Sequence, residues 1–231
     1  MDKRRNYFIV LDTETANGQA TEKGVDLKDS LVYDLGYAVV DKWGTVYKTE
    51  SFVIDEIFFG EAEMMKSAYY ANKRSAYLDD IKNGTRKVVS FYEARKSLLD
   101  DMENYNTKIV CAHNARFDVN ALNNTQRWLT KSKYRYFFKW GTVVWDSLKM
   151  SRDIFKNLKG YVKFCETNGY MTRHKKPQIR LTAEIIYRYI TGEHEFVESH
   201  TGLEDVLIEK EIVKHCFRQH KKMRKELWAV A

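Results

Sequence analysis

The order of apolar and polar residues along the chain predicts strands first and a mixture of strands and helices later. Residues from Tyr7 to Leu11 form a short continuous apolar run, typical of a strand covered on both faces in the centre of a sheet. Two β-rich runs follow, from Leu31 to Val40 and from Thr45 to Ile54, and Asp41 to Gly44 supplies turn residues between them. Three strands are therefore expected to open the chain as a meander.

Helical periodicity dominates the later part of the chain, interrupted by two further strands. The stretch from Glu61 to Leu99 is helical in pattern, with Ser90 and Glu93 at the spacing of a capping box. The remaining expected elements are strands at Lys108 to Ala112 and Thr142 to Trp145, and helices from near Phe117 and from Leu148 onward. This order predicts an α/β protein with a mixed five-stranded sheet flanked by helices.

Composition adds that the chain is globular and is built as one domain. Of its 231 residues, 44% are hydrophobic and 31% are charged, far from the composition of disordered chains. No linker rich in Pro, Gly or Ser divides it, so we expect a single domain over residues 1–231. No apolar run approaches the ~18 residues of a membrane span, so no membrane partner is expected. The three cysteines are odd in number and far apart, which favours reduced thiols in a cytoplasmic setting.

Charge allows a nucleic-acid partner without requiring one. The 39 Lys and Arg exceed the 32 Asp and Glu by +7. Basic and aromatic residues interleave from Lys131 to Lys139, including Tyr134, and a second basic group extends from Arg173 to Arg180. Phosphate contacts with aromatic stacking suit single-stranded nucleic acid, but aromatic residues that face the core explain the first pattern equally well. A basic helical tail is expected at 214–231, and the Lys-, Asn- and Tyr-rich composition hints at an A+T-rich genome such as that of a phage.

Two carboxylates follow the first predicted strand. Asp12 and Glu14 are two residues apart, so on an extended backbone both side chains project to the same side of the sheet edge. Paired carboxylates suit hard cations such as Mg²⁺, which prefer oxygen ligands. An isolated pair with this spacing is also common in solvated turns, but the position directly after a buried strand favours a metal site.

A third carboxylate, Asp118, follows the fourth predicted strand. Asn114 is suited to a helix N-cap, which places Asp118 one turn inside the next helix and aims it at the sheet edge. A favourable charge near a helix N-terminus, worth only ~0.3 to 1 kcal/mol, explains Asp118 without any function. Cys111 and His113 lie nearby, and packing is the expected reason for both.

His200 and Asp205 mark the start of an amphipathic helix. Apolar residues recur at approximately helical spacing from Leu203, so Asp205 belongs to the first turns of this helix. Five positions on a helix do not bring two side chains onto one face, so the pair converges only if His200 lies on the preceding loop. A loop histidine beside a metal-binding carboxylate is suited to act as a general base.

Three motifs thus occur in a fixed order, each at a strand end or a helix start. They are Asp12-x-Glu14, then Asn114-x-x-Phe117-Asp118, then His200 with four residues before Asp205. In this order they resemble the DEDD exonuclease superfamily, in its histidine-containing DEDDh branch. That branch includes the proofreading epsilon subunit of bacterial DNA polymerase III, ribonuclease T and oligoribonuclease. The chain departs from the family pattern at Gly202, where alanine is frequent, and in a longer helical insertion at about 56–87.

The resemblance implies a ribonuclease H-like fold and a metal-dependent 3′ to 5′ exonuclease. Two divalent cations, Mg²⁺ or Mn²⁺, would be gathered by the carboxylates of Asp12, Glu14, Asp118 and Asp205. His200 would be the general base, and the contacts to the terminal nucleotide would come from Thr13, Glu14, Asn114 and Phe117. An ordinary position on the core face of a helix explains Phe117 equally well.

The expected partner is nucleic acid with a free 3′ end, and single-stranded DNA is the favoured form. A polymerase or other replication protein is a further expected partner. Two alternatives remain open. One is an RNA-directed or structure-selective nuclease with the same site, since phosphates are alike in DNA and RNA. The other is a noncatalytic, nucleic-acid-binding polymerase accessory module, which the presence of all four carboxylates disfavours.

Overall fold

A computed structural model gives the arrangement of residues 6–16, 20–21, 24–25, 29–66, 68, 71–133 and 135–219. Tyr134 and residues 220–231, which form most of the expected basic tail, lie outside the described residues. Within the described ranges, no helix is both long enough and apolar enough to cross a membrane. Cys111, Cys165 and Cys216 are buried free thiols.

Strands open the chain, strands and helices mix in its middle part, and helices follow. The strands are β1 (Tyr7–Ala16), β2 (Ala20–Thr21), β3 (Gly24–Val25), β4 (Leu31–Asp41), β5 (Val46–Ile54), β6 (Lys87–Val89), β7 (Ile109–Ala112) and β8 (Val143–Asp146). The helices are α1 (Asp55–Phe58), α2 (Ala62–Lys66), α3 (Arg74–Lys82), α4 (Phe91–Asn104), α5 (Arg116–Thr130), α6 (Ser147–Phe155), α7 (Lys159–Thr167), α8 (Ala183–Thr191) and α9 (Gly202–Arg218). A 3-10 turn at Ala71–Lys73 precedes α3.

The main sheet is mixed, which confirms the predicted fold class, but it has six strands rather than five. Its order is β6-β5-β4-β1-β7-β8, with an antiparallel meander of β1, β4 and β5 and parallel pairing of β1 with β7 and β7 with β8. The additional strand, β6, lies where helical pattern was expected and pairs in parallel with β5. Three residues at a sheet edge are too few for strand periodicity to register in the sequence.

Helices cover both faces of the sheet. Ile9 and Val10 are both 0% exposed although they point to opposite faces, as the continuous apolar run predicted. One core packs against α1 to α5 and the other against α6 to α9. The capping box is confirmed, because Glu93 N–H donates to Ser90 Oγ at 3.2 Å and Ser90 N–H donates to Glu93 Oε2 at 2.9 Å.

The first strand is longer than predicted, and this determines where the carboxylates lie. β1 continues to Ala16, so Asp12 and Glu14 lie within it, opposite Gly36 and Asp34 of β4. On its other side β1 pairs with β7 only at Ile9 and Val10. Beyond that point, the edge of β1 that faces away from β4 is open to the segments that follow β7.

Candidate active site

Carboxylates from opposite ends of the chain meet beside the open edge of β1. Asp12 and Glu14 from β1 and Asp205 from α9 each place a carboxylate oxygen within 4.8 Å of the other two. Alternation along β1 sends both of its carboxylates to the sheet face that α9 covers. The first and third motifs predicted from the sequence therefore come together in space.

Asp118 joins this group through Thr13. The Thr13 backbone N–H donates to Asp118 Oδ1 at 3.2 Å, and the Thr13 hydroxyl donates to the same oxygen at 2.8 Å. At Thr13, the open edge of β1 thus forms hydrogen bonds with the Asp118 side chain of α5 rather than with another strand. Both residues are buried, so the position of the Asp118 carboxylate is fixed by Thr13.

His200 lies on the loop before α9, as its convergence with Asp205 requires. Its backbone is in the left-handed region, with φ of 52°, and its backbone N–H donates to the Asp205 carboxylate. Ligand atoms of Glu198, His200 and Asp205 lie within 4.8 Å of one another, and His200 Nδ1 is 3.7 Å from Glu198 Oε2. On the other side of this loop, the Lys73 ammonium donates to Ser199 O.

Two acidic residues of this site, Glu198 and Glu209, were not predicted from the sequence. Glu209 is only 2% exposed, and its Oε1 accepts a hydrogen bond of 3.0 Å from His113 N–H. It lies one helical turn after Asp205 on the buried face of α9. A charged residue on an otherwise apolar helix face was therefore a signal in the sequence that could have identified Glu209 as a site residue. Glu198 lies on a loop, where no periodic pattern identifies a buried residue. We call the six carboxylates the acidic centre: Asp12, Glu14, Asp118, Glu198, Asp205 and Glu209.

Burial and mutual repulsion raise the pKa values throughout the acidic centre. Burial, followed by repulsion from neighbouring carboxylates, raises the pKa of Glu14 to about 9 and that of Asp205 to about 8. Burial raises the pKa of Asp118 to about 7 against the opposing hydrogen bonds from Thr13. Burial and then Asp118 repulsion raise the pKa of Asp12 well above its usual value. The centre therefore resists carrying its full negative charge unless a cation compensates it.

The donor set fits hard divalent cations. Carboxylate oxygens are the ligands that Mg²⁺ and Mn²⁺ prefer. Asp205 Oδ1 and Glu209 Oε2 are buried without a hydrogen-bond partner among the described residues, which leaves acceptor capacity directed into the site. Buried acceptors without donors are costly unless a ligand satisfies them.

The acidic centre opens into a cavity of about 790 Å³. Thr13, Glu14, Asn114 and Phe117 line it, which places all four expected contacts to the terminal nucleotide on its wall. Asn114 does not cap α5 as predicted, because Ala115 occupies the N-cap and Asn114 is left-handed, with φ of 71°. Phe117 is half-buried on the wall.

His113 has a structural role in the contacts that surround it. Its Nδ1 lies 2.9 Å from Ser147 Oγ, and its Nε2 lies 2.9 Å from Leu181 O. Burial lowers its pKa, which favours the neutral ring. These contacts tie the loop before α8 to the end of β7.

A buried ion-pair network holds the start of α9 against the sheet. Asp34 Oδ2 accepts hydrogen bonds from Tyr77 Oη at 2.6 Å, Arg86 Nη1 at 3.2 Å and Gly202 N–H at 3.0 Å. Arg86 also pairs with Glu204 in the first turn of α9 at 3.0 Å. Tyr77 and Arg86 belong to the segment at 56–87 that was expected to be an insertion. This segment thus contacts the helix that carries Asp205.

Solved structures of exonucleases share the fold of this chain. The nuclease domain of 3′hExo, a DEDDh family member bound to rAMP, aligns with 97% of this chain and 98% of its own, with TM-score 0.53 and 11% identity. A 3′-exonuclease that recognises the histone mRNA stem-loop aligns with 98% of this chain and 91% of its own, with TM-score 0.58 and 12% identity. Exonuclease I aligns with 93% of this chain and 43% of its own, with TM-score 0.50 and 14% identity. The chain has a ribonuclease H-like exonuclease fold.

The likeness of this chain to the solved exonucleases lies in its tertiary structure. No family model matches the sequence, and no curated protein does. The fold implied by the three motifs is confirmed.

Within this exonuclease fold, Gly202 has a packing role that the sequence did not indicate. A Cβ at Gly202 would lie 2.6 Å from Gly36 N, and a Cβ at Gly36 would lie 2.2 Å from Gly202 C. The start of α9 therefore lies directly on the backbone of β4, opposite Asp12. The departure from alanine at this position follows from close backbone contact rather than from local helix preference.

Replacing Gly202 by alanine should destabilise the protein by about 1 to 3 kcal/mol, because the methyl group forces α9 away from β4. Turnover should also fall, since Asp205 and His200 move with the helix start. Gly160→Ala in α7 is the matched control, because its Cβ meets only the Tyr189 hydroxyl, at 2.7 Å, which a side-chain rotation relieves. Thermal unfolding of both variants is the measurement. Equal unfolding temperatures for Gly202→Ala and the wild type would contradict the close packing.

Proposed function

We propose that this protein is a metal-dependent 3′ to 5′ exonuclease that hydrolyses phosphodiester bonds by a two-metal mechanism, with single-stranded DNA as its favoured substrate. The observation that carries the proposal is the convergence of Asp12, Glu14 and Asp205 with His200 in an open cavity. The likeness in fold to known exonucleases supports it.

The carboxylates of Asp12, Glu14, Asp118 and Asp205 would hold two divalent cations, Mg²⁺ or Mn²⁺. When bound, such cations neutralise the phosphate and stabilise the entering and leaving oxygens. The raised pKa values of these carboxylates support this assignment, because a cation removes the repulsion that raises them.

His200 would act as the general base. Its neutral imidazole accepts a proton from a water molecule, whose oxygen forms a bond to phosphorus. The bond between phosphorus and the 3′ oxygen breaks, and the departing 3′ oxygen takes up a proton from solvent. The products are a nucleoside 5′-monophosphate and a shortened strand with a 3′ hydroxyl. Burial, together with the positive charge of Lys73, lowers the pKa of His200 and so favours the neutral form at pH 7.

Thr13, Asn114 and Phe117 would position the terminal nucleotide. Thr13 acts mainly by orienting Asp118, since its hydroxyl donates to that carboxylate. Asn114 is exposed on the cavity wall and offers an amide, and Phe117 offers an aromatic face for a base or sugar. A single strand suits this wall because its terminal base is free to unstack.

A strand with a free 3′ hydroxyl should be shortened one nucleotide at a time in Mg²⁺ or Mn²⁺, and chelation should stop the reaction. A covalently closed circle of the same single-stranded DNA should persist, because the site acts on the end of a strand. The measurement is the product ladder from 5′-labelled single-stranded DNA, duplex DNA and RNA. Rapid cutting of the circle would identify an endonuclease instead, and preferential loss of the RNA would change the proposed substrate.

A further inference from the structure

The cavity that contains the acidic centre also has a basic side. Arg152 at the end of α6, Lys156 just after it and Arg180 on the loop before α8 all line the cavity. We call these three residues the basic wall. All three are exposed, whereas most of the acidic centre is buried.

The basic wall is held close to the acidic centre by His113 and its neighbours. The His113 backbone N–H donates to Glu209, and His113 Nε2 lies 2.9 Å from the carbonyl of Leu181, the residue after Arg180. The backbone of Arg180 is held by two bonds, because its N–H donates to Tyr170 O at 3.0 Å and its carbonyl accepts from Tyr161 Oη at 2.7 Å. The Arg180 backbone therefore lies on a fixed part of the wall.

The side chains of the basic wall form no ion pairs within the described part of the chain. None of Arg152, Lys156 and Arg180 forms an ion pair with a described carboxylate, and Lys156 Nζ contacts only the neutral amide of Gln178, at 3.4 Å. Other cations of the chain are paired, including Arg86 with Asp34 and Arg188 with Glu184. Three cations that stay unpaired beside an acidic centre leave their charge available to a polyanion that crosses the cavity.

The second basic group predicted from the sequence extends this wall. Residues 170–180 form a hairpin closed by the bridge between Met171 and Ile179 and by Thr172 N–H donating to Gln178 O at 2.8 Å. Its tip exposes Arg173, His174, Lys175 and Lys176, and the hairpin contains no acidic residue. Thr172 and Gln178 line the cavity, so the tip continues from the same opening.

The first basic group is directed elsewhere. Phe137 is fully buried against Phe91, with ring centroids 5.4 Å apart, so it has no face left for a base. Lys139 pairs with Glu103 on α4. No residue of 131–133 or 135–139 lines the cavity of the acidic centre. Of the two basic groups, only the second is continuous with the candidate active site.

We infer that the basic wall and the hairpin at 170–180 bind the phosphates of the substrate strand on the 5′ side of the bond to be cleaved. The inference rests on the proposed function, because an exonuclease that removes the last nucleotide leaves the rest of the strand on the 5′ side. That strand carries a charge at every phosphate, and the basic wall lines the same cavity as the acidic centre. The partner is thus a single-stranded nucleic acid backbone, bound without base recognition.

The test compares two triple variants with the same change in charge. Arg152→Gln, Lys156→Gln and Arg180→Gln together neutralise the basic wall, and Lys131→Gln, Arg135→Gln and Lys139→Gln together neutralise the other group. Each lowers the formal net charge by three. Both are made in an Asp205→Asn background, so that the strand is not degraded during the measurement. Binding of a fluorescent oligothymidylate is then measured by anisotropy in Mg²⁺ over a series of salt concentrations.

The basic-wall variant should bind more weakly than its parent, and the slope of log affinity against log salt should become shallower by about 2, at ~0.7 per lost phosphate contact. The control variant should keep the slope of the parent. Equal weakening of both variants, or weakening of the control alone, would overturn the inference. Circular dichroism and thermal unfolding verify that both are folded, as expected for exposed side chains.

The inference and the proposed function fail in different ways. If the wild-type protein shortens single-stranded DNA from its 3′ end but the basic-wall variant binds like its parent, only the inference is wrong. If the wild-type protein neither binds nor shortens the strand in Mg²⁺ or Mn²⁺, the proposed function is wrong.

Discussion

Asp205→Asn should reduce turnover by at least ~10³-fold without unfolding the protein, because residues that act as one catalytic unit are not individually dispensable. The amide keeps an oxygen that accepts from the His200 backbone N–H, so the loop before α9 is retained. Single-turnover cleavage of end-labelled single-stranded DNA measures the loss. Glu211→Gln is the matched control, since Glu211 lies on the same helix but pairs with Lys214.

The same substitution should change how stability depends on pH. The folded pKa of Asp205 is raised to about 8, above its ordinary value. The contribution of Asp205 to stability therefore falls as pH rises from ~4 to about 8, because the unfolded chain releases this proton more readily than the folded protein does. Metal-free Asp205→Asn should consequently unfold at a higher temperature than the wild type at pH 9, with a smaller difference at pH 5. Wild-type turnover in this variant would refute the catalytic role of Asp205, and greater stabilisation at pH 5 than at pH 9 would contradict its raised pKa.

His200→Asn should lower turnover by ~10²- to 10⁴-fold while metal affinity and strand affinity stay close to wild type, because a general base is lost and no carboxylate is. Asparagine is chosen because it tolerates the left-handed backbone that His200 adopts, with φ of 52°. An alanine at this position would combine backbone strain with the loss of the base. The measurements are single-turnover rates at saturating Mg²⁺ and isothermal titration calorimetry with Mn²⁺.

His194→Asn, on the exposed loop after α8, is the control for loss of a histidine. Neutral imidazole is the basic form, and the pKa of His200 lies below its usual value, so the wild-type rate should fall on the acid side of neutrality. The decrease in rate at acid pH that results from protonation of His200 should be absent from the pH–rate profile of His200→Asn. An unchanged rate in that variant would remove His200 from the mechanism and leave the carboxylate site standing.

Much of the fold was predictable from the sequence, because local patterns report local burial. The apolar run at Tyr7 to Leu11 predicted a strand covered on both faces, and the meander boundaries are correct to within a residue at Leu31 and Ile54. The edge strand β6 was not predicted, since three half-exposed residues carry no periodic signal. The full length of β1 was also missed, because the polar residues after Leu11 are buried by α9 and α5, which are distant in sequence.

The sequence by itself determined most of the elements and the chemical groups that they carry: two carboxylates next to the first apolar run, a third at the start of α5, and a histidine before an acidic helix. Only the tertiary structure decided how these groups meet. The bond from Thr13 to Asp118 joins residues 105 apart, Glu209 enters the acidic centre from the buried face of α9, and Gly202 lies against the backbone of Gly36. Periodicity records which face of an element is buried, whereas the identity of the neighbour across that face depends on contacts between distant segments, which no local pattern contains.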